Sequence, residues 1–209
     1  PVMFTDWKVW PVYYNNSGEQ IFNDGIEDGL VFLSSESIKE KSRNDKGEID
    51  IFALQQGSFL IPDYDAWVQI EKSIIRQIGI GNKKEDGGAY AINENYGLSY
   101  EYGGKSEKEK DGRPNVGPAV KRAIDKLNKD KFYYFGTFIH SHPYSGNKSY
   151  PSGEDYDTVN DYGFHSGVMI TKEVLDDNPK STSIYFFKYN SSQQIKVNKA
   201  VLESIIRGK

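Results

Sequence analysis

The 209-residue sequence contains no cysteine. This absence excludes cysteine nucleophiles, disulfide frameworks and thiolate metal sites together, and it leaves the redox compartment open. No apolar run approaches the roughly 18 positions that a transmembrane helix needs, so no membrane span is predicted. An excess of basic charge is also missing, because 26 Lys and Arg stand against 30 Asp and Glu and give a net charge of −4. A nucleic-acid partner is therefore not predicted.

Aromatic residues make up 14% of the sequence, and they must supply much of the core because apolar residues in total reach only 37%. The sequence begins with Pro1 rather than Met, and we expect that a preceding segment has been removed. A cysteine-free composition rich in Tyr, Asn and Ser suits an exported protein, so the periplasm or the extracellular space is the expected compartment.

Residues 1–60 are predicted to form a strand-rich N-terminal extension, to which the sequence assigns no role. Its predicted strands lie at residues 7–13, 29–33 and 49–54, where apolar and aromatic side chains cluster. The charged stretch 37–50 between them is predicted to be either a short helix or a solvated loop.

Residues 61–209 show alternating helix and strand patterns. Helices are predicted from Asp63 or Asp65 to residue 78, from Pro118 to residue 127, from Ser152 onward, and at 199–206. Strands are predicted at 87–92, 97–102, 132–139, 168–171, 182–189 and 194–197, with a polar loop at 103–117. This alternation predicts an α/β domain with a mixed central β-sheet flanked by helices.

His140 and His142 lie two residues apart at the end of the predicted buried strand 132–139. Side chains at positions i and i+2 of a strand point to the same face, so the two imidazoles can converge on one metal ion. Asp155, near the start of the next helix, can return to supply an oxygen ligand. Taken singly, these residues also fit an ordinary pair of strand-end histidines and a capping box formed by Ser152 and Asp155.

The whole segment resembles the core signature of the JAMM/MPN+ (JAB) zinc metallopeptidases, in the manner of a divergent bacterial member. The resemblance runs through His140-Ser-His-Pro, a loop, Pro-Ser152-x-x-Asp155 and Gly163-Phe-His-Ser-Gly-Val-Met-Ile. It covers residues 63–190 and is specific over residues 136–171. One departure is the loop between His142 and Ser152, whose nine residues exceed the usual spacing of the family.

The resemblance implies a JAB/MPN-like fold, with the layering of the cytidine deaminases, and a Zn²⁺ ion held by His140, His142 and Asp155. It also implies that Ser152 stabilises the oxyanion of the reaction, and that an upstream glutamate serves as the general base. Glu85 is the best match for this glutamate, since it follows the first long helix and leads into a strand. Glu101 and Glu71 are weaker candidates.

His165 is predicted to be a structural residue at a strand entrance, with a supporting or substitute role at the metal as the alternative. The function implied by the resemblance is hydrolysis of an amide bond in a protein or peptide substrate, by a zinc metallopeptidase or isopeptidase. Two alternatives stay open: a non-catalytic scaffold of the MPN type, and a metal hydrolase that acts on non-peptide substrates.

Overall fold

In the computed structural model, the described residues are 12–23, 30–76, 84–93, 97–108, 114–127, 134–142, 150–171, 183–189 and 193–208. The N-terminal ranges contain a small mixed sheet with the strands Val12–Tyr14 (β1), Gln20–Phe22 (β2), Val31–Leu33 (β3) and Phe59–Leu60 (β4). Its strand order is β2-β1-β3-β4, and β1 and β3 run parallel. Two short helices, Glu36–Lys41 (α1) and Ile51–Gly57 (α2), lie between β3 and β4 in the chain.

The strand predicted at 49–54 is wrong, because this segment contains most of helix α2. The side chain of Asp50 accepts a hydrogen bond from the Ala53 N–H at 3.1 Å and thereby caps the helix. In the stretch 37–50, helix α1 is followed by a turn in which Arg43 and Ile49 form an isolated bridge. The strand predicted at residues 7–11 lies outside the described residues.

The second sheet is larger and has six strands. Its strands are Asp86–Ile92 (β5), Leu98–Lys105 (β6), Tyr134–His142 (β9), Ser166–Thr171 (β10), Ser183–Phe187 (β11) and Gln194–Asn198 (β12). The order is β12-β11-β10-β9-β5-β6, in which β9 and β10 are parallel and the other neighbours antiparallel. The prediction of a mixed α/β fold is therefore confirmed.

The segment 103–117 is only partly the loop that was predicted. Strand β6 continues to Lys105, and Glu107–Lys108 (β7) pairs with Pro114–Asn115 (β8) in a two-stranded ribbon. The centre of this predicted loop lies outside the described residues. The sequence missed these strands because glycine and lysine have low strand propensity, whereas the pairing to β5 is decided by tertiary contacts.

The remaining helices flank the larger sheet: Tyr64–Ile70 (α3), which continues as a π-helical turn over Glu71–Ile75, Gly117–Leu127 (α4), Gly153–Asp161 (α5) and Lys199–Arg207 (α6). As predicted, Asp63 caps α3, since its side chain accepts from the Ala66 N–H at 2.8 Å. Residue 78, the predicted end of this helix, lies outside the described residues. Among the described residues, no helix combines the length and the apolar character that crossing a membrane requires.

The two faces of the larger sheet pack against different partners. Ile139 on β9 belongs to a core cluster that also contains residues of α3, α6 and the small sheet, whereas Phe138 packs with residues of α4 and α5. Because side chains alternate along a strand, His140 and His142 share the face of Phe138. Helix α4 approaches this face closely: a Cβ at Gly87 would lie 3.2 Å from the Cβ of Ala119.

The first of these clusters contains buried residues from both sides of position 60. Tyr13 and Phe32 from the N-terminal segment belong to the same cluster as Ile139 and Phe186 of the larger sheet. The boundary between residues 60 and 61 stays a prediction, and the core runs across it.

Candidate metal centre

Strand β9 brings the two histidines together at its C-terminal end. His140 lies opposite Gly87 of β5 on one side and Met169 of β10 on the other. The Nε2 atoms of His140 and His142 lie 3.0 Å apart, and the two residues are 0% and 7% exposed. Both rings therefore present the same nitrogen to one point beneath the surface.

The start of helix α5 supplies the third group. Ser152 and Asp155 form a capping box, in which the Asp155 N–H donates to Ser152 Oγ at 3.3 Å. In return, Asp155 Oδ2 accepts from the Ser152 N–H at 2.6 Å and from its hydroxyl at 2.9 Å. The cap thus fixes one carboxylate oxygen and leaves the other, Oδ1, 3.0 Å from His140 Nε2. The carboxylate of Asp155 therefore caps helix α5 with Oδ2 and presents Oδ1 to His140.

The ligand atoms of these three residues lie close to one another. Zinc–ligand bonds of about 2.0–2.1 Å place neighbouring ligand atoms of a tetrahedron about 3.3 Å apart. The imidazole nitrogens are 3.0 Å apart, and His140 Nε2 is 3.0 Å from Asp155 Oδ1. The shortest contact of His142 Nε2 is with the other carboxylate oxygen, Oδ2, at 3.6 Å. The buried group of His140, His142 and Asp155 can hold a metal ion.

The electrostatics of the group favour a cation. Burial opposes the charge on Asp155, but the two imidazoles and the Ser152 backbone N–H hold the pKa of this carboxyl well below its usual range. Burial likewise opposes protonation of His140, yet the carboxylates of Asp155 and Glu85 raise its pKa above the ordinary value. Positive charge at the imidazole nitrogens is therefore stabilised, and a metal ion would supply that charge in place of protons.

Glu85 lies at the edge of this group, directly before strand β5. Its Oε1 is 3.8 Å from His142 Nε2, and its side chain is 16% exposed. The backbone is fixed on both sides, because Glu85 N–H donates to Ser106 Oγ at 3.1 Å and Ser106 N–H donates to the Glu85 carbonyl at 2.7 Å. Glu85 is thus close enough to act on a water molecule held at the histidines.

The other acidic candidates lie elsewhere. Glu101 points toward Lys126, with 3.8 Å between their charged atoms, and Glu71 pairs with Lys199 at 2.9 Å. His165 lies just before β10. Its backbone N–H donates to the carbonyl of Gly136, which lies near the N-terminal end of β9, away from the two histidines. His165 therefore lies at the strand entrance where it was predicted, and it is not part of the buried group of candidate ligands; its structural role stays a prediction.

The sequence did not indicate the contacts behind the site. Ser141, between the two histidines, points to the opposite face of β9, and its hydroxyl accepts from the Asp86 N–H at 2.8 Å. The Asp86 carboxylate is fully buried and accepts from the Tyr102 hydroxyl at 2.5 Å. From the alternation of side chains along a strand, the sequence could have predicted that Ser141 points away from the imidazoles. Its hydrogen bond with Asp86 could not be predicted, because it depends on the register of β5 against β9.

The chain matches no protein-family model, and none of the curated proteins has a similar sequence. The metal-binding interpretation therefore depends on the geometry of these residues and on the motif that they form.

Proposed function

We propose that this protein is a zinc-dependent metallopeptidase or isopeptidase of the JAMM type. The observation that carries the proposal is the convergence of His140, His142 and Asp155 in one buried group, whose ligand atoms lie within 4.8 Å of one another, with Glu85 beside them. Two nitrogens and one oxygen leave a fourth position for water or substrate, as in catalytic rather than structural zinc sites.

His140, His142 and Asp155 would hold the zinc ion, which would supply a Lewis acid for the amide carbonyl and would lower the pKa of water there to about 7. Glu85 takes the proton from the attacking water and passes it to the nitrogen of the leaving amine, so that a neutral amine departs. Its Oε1 lies 3.8 Å from His142 Nε2, and Glu85 does not belong to the buried group of three candidate ligands, which supports a role as base rather than as ligand.

Ser152 is the second catalytic candidate, with a proposed contact to the developing oxyanion. Its hydroxyl also donates to Asp155 Oδ2 at 2.9 Å and so orients the third ligand. These two roles are separable by experiment, because only the orienting role changes metal affinity.

The first test is metal content. We expect the purified chain to take up zinc in stoichiometric amount, His142→Ala to lose it, and Glu85→Gln to keep it, since Glu85 is not a ligand. Elemental analysis after loading with a mixture of metals also identifies the ion, because two histidines and a carboxylate are the ligands of many non-haem iron enzymes. Absence of stoichiometric zinc, or retention of zinc by His142→Ala, contradicts the proposal.

The second test is hydrolysis by the zinc-loaded protein, with peptide, isopeptide and cell-wall amide substrates in parallel. Glu85→Gln should lower the rate by about 10²–10⁴-fold at unchanged zinc content, the usual contribution of a general base. If Glu85→Gln leaves all measured rates unchanged, the result favours the non-catalytic scaffold. If only non-peptide substrates are cleaved, the result favours a metal hydrolase that acts on such substrates.

A further inference from the structure

A second site lies away from the metal centre, in a pocket of about 460 Å³ between helix α1, the end of α2 and the start of β12. Gln194 at this pocket pairs with Phe187 of β11, Phe187 with Gly167 of β10, and Gly167 with Phe138 of β9. Phe138 precedes His142 by four residues, which is about 13 Å along the strand. We call this cavity the basal pocket, because it lies toward the opposite end of the sheet from the metal centre.

The lining of the basal pocket carries four serines, three side-chain amides and two lysines, and none of these described residues is an Asp or Glu. The lining therefore carries positive charge, whereas the chain as a whole has a net charge of −4. Lys41 is exposed at the end of α1 and forms no ion pair within the described part of the chain, whereas Lys39 on the same helix pairs with Glu36 at 2.9 Å. Lys196, the other lysine, lies over the ring of Tyr185 at 5.4 Å.

A third lysine lies behind the wall of the basal pocket. Lys188 is only 4% exposed, and its Nζ donates to the carbonyl of Ser58 at 2.9 Å. The Ser58 hydroxyl donates to the Leu54 carbonyl at 2.7 Å and accepts from the hydroxyl of Ser34 at 2.9 Å, and Ser34 lines the pocket. On the other side, the backbone N–H of Lys188 donates to the carbonyl of Gln193, which also lines it. The side chain of Lys188 is thus linked to the wall through Ser58, and its backbone is linked to the wall through Gln193.

Among the described residues, no negative charge compensates the ammonium of Lys188. Its Nζ contacts His165 Nε2 at 2.7 Å and lies 5.2 Å from the centre of the Phe59 ring, and no carboxylate pairs with it among the residues that the structure describes. Burial lowers the pKa of Lys188 to about 7. Burial and the neighbouring ammonium keep the pKa of His165 well below its usual range, so the imidazole is a neutral acceptor. An anion in the basal pocket would supply the missing charge.

We propose that the basal pocket binds an oxyanion, the phosphate or carboxylate group of a small ligand, with Lys41 at its mouth and Lys188 behind its wall. Serine hydroxyls and side-chain amides supply the neutral hydrogen-bond donors that such a group needs. Ile38 and Ile195 add an apolar surface for the rest of the ligand. The volume lies in the range of small-molecule sites, at about 300–1,000 Å³.

The test is a titration of the metal-free protein with inorganic pyrophosphate and with citrate, followed by amide chemical shifts in two-dimensional NMR. We expect saturable shifts at residues 34–42 and 193–196 and none at His140 and His142. Tighter binding of pyrophosphate assigns the pocket to phosphoryl groups, and tighter binding of citrate assigns it to carboxylates. An absence of shifts at the pocket up to 20 mM anion, on the order of the weakest useful affinity, or shifts confined to the metal centre, would overturn the proposal.

Two variants locate the charge that binds. Lys41→Gln should weaken binding about tenfold, as expected for loss of one charge-assisted hydrogen bond. Lys39→Gln, on the same helix but outside the pocket, should bind like the unaltered protein. Equal affinity in Lys41→Gln and the unaltered protein contradicts the proposal.

Lys188 is tested through the pH dependence of sulfate binding, because sulfate itself does not titrate near neutrality. The folded chain protonates Lys188 as the pH falls through about 7, so sulfate affinity should rise from pH 8 to pH 6. Lys188→Met keeps the side-chain length and removes the charge, and it should abolish this rise. If a folded Lys188→Met protein shows the same rise in sulfate affinity, Lys188 does not contribute to anion binding. The anion affinity of Lys41→Gln then still tests whether the pocket binds anions.

Discussion

At the scale of single residues, Asp86 shows how the metal centre is supported from behind. This carboxylate is fully buried one residue after Glu85, and its Oδ2 has no hydrogen-bond partner in the described part of the chain. Burial raises the pKa of Asp86, while the Tyr102 hydroxyl and the charge of Lys105 lower it in part. The folded chain therefore binds a proton at Asp86 more tightly than the unfolded chain, and the contribution of Asp86 to stability falls as the pH rises through that raised pKa.

Tyr102→Phe removes the hydroxyl that stabilises the charged form of Asp86. We expect the free energy of unfolding to fall by about 1.5–3 kcal/mol at pH 7, the contribution of a hydrogen bond to a charged group. The loss should be smaller at pH 4 than at pH 7, because protonation of Asp86 removes the charge that the hydroxyl stabilises. Urea unfolding of the unaltered protein and of Tyr102→Phe, at pH 7 and at pH 4, measures the loss at each pH. In an Asp86→Asn background the effect of Tyr102→Phe should shrink, and equal effects in both backgrounds would show that the two side chains are not coupled.

Ser152 offers a second prediction at this scale, because one hydroxyl serves both the helix and the metal ligand. Ser152→Ala should lower the free energy of unfolding by about 1 kcal/mol through loss of the N-cap of α5. It should also weaken zinc binding about 10–100-fold, the usual effect of removing a group that orients a ligand. A competition titration against a chelating indicator measures the affinity.

The matched control is Asp50→Ala, which removes the N-cap of α2, remote from the metal centre in the chain. This variant should lose similar stability and keep its zinc affinity. If Asp50→Ala and Ser152→Ala affect zinc equally, the link between the cap and the metal ligand is absent.

At the scale of elements, the close approach of α4 to the sheet depends on positions without side chains. A Cβ at Gly103 would lie 1.8 Å from the Ala119 carbonyl oxygen, which belongs to the helix backbone and cannot rotate away. Gly103→Ala should therefore push α4 off β6 and lower the free energy of unfolding by about 1–3 kcal/mol or more. Thermal unfolding measures the loss.

Gly153 is the corresponding control, since nothing lies within 4 Å of a Cβ built there. Gly153→Ala at the first residue of α5 should leave stability unchanged or raise it slightly, because alanine has the higher helix propensity. If Gly103→Ala and Gly153→Ala lower the free energy of unfolding by similar amounts, the close contact between Gly103 and Ala119 is not the cause of the loss.

At the scale of the whole molecule, metal binding should appear as added stability. The ligands come from β9 and α5, so an ion that binds only the folded chain links the central strand to a peripheral helix. At a free zinc concentration 100 times the dissociation constant, the gain is about 2.7 kcal/mol. For a chain of this length each kcal/mol corresponds to about 2–4 °C in Tm. Calorimetry with and without a chelator should show this difference for the unaltered protein and none for His140→Ala.

The sequence determined the helices and most strands of the larger sheet, because their apolar periodicity and caps are local properties of consecutive residues. Asp63 and Ser152 begin helices where their side chains can reach backbone N–H groups. The residues His140, His142 and Asp155 were also found from their spacing, since a strand end and a helix start that follow one another are held near each other by a short connection. The helix α2 was mistaken for a strand, because a short apolar run has no clear period.

Only the tertiary structure decided how close these groups come and what surrounds them. The distance of 3.8 Å between Glu85 and His142 follows from the antiparallel register of β5 against β9, which joins residues more than fifty positions apart. The basal pocket and the buried Lys188 likewise arise where separate segments meet. Local patterns select helices and strands, whereas the register of a sheet and the burial of a charge are set by the packing of the whole chain.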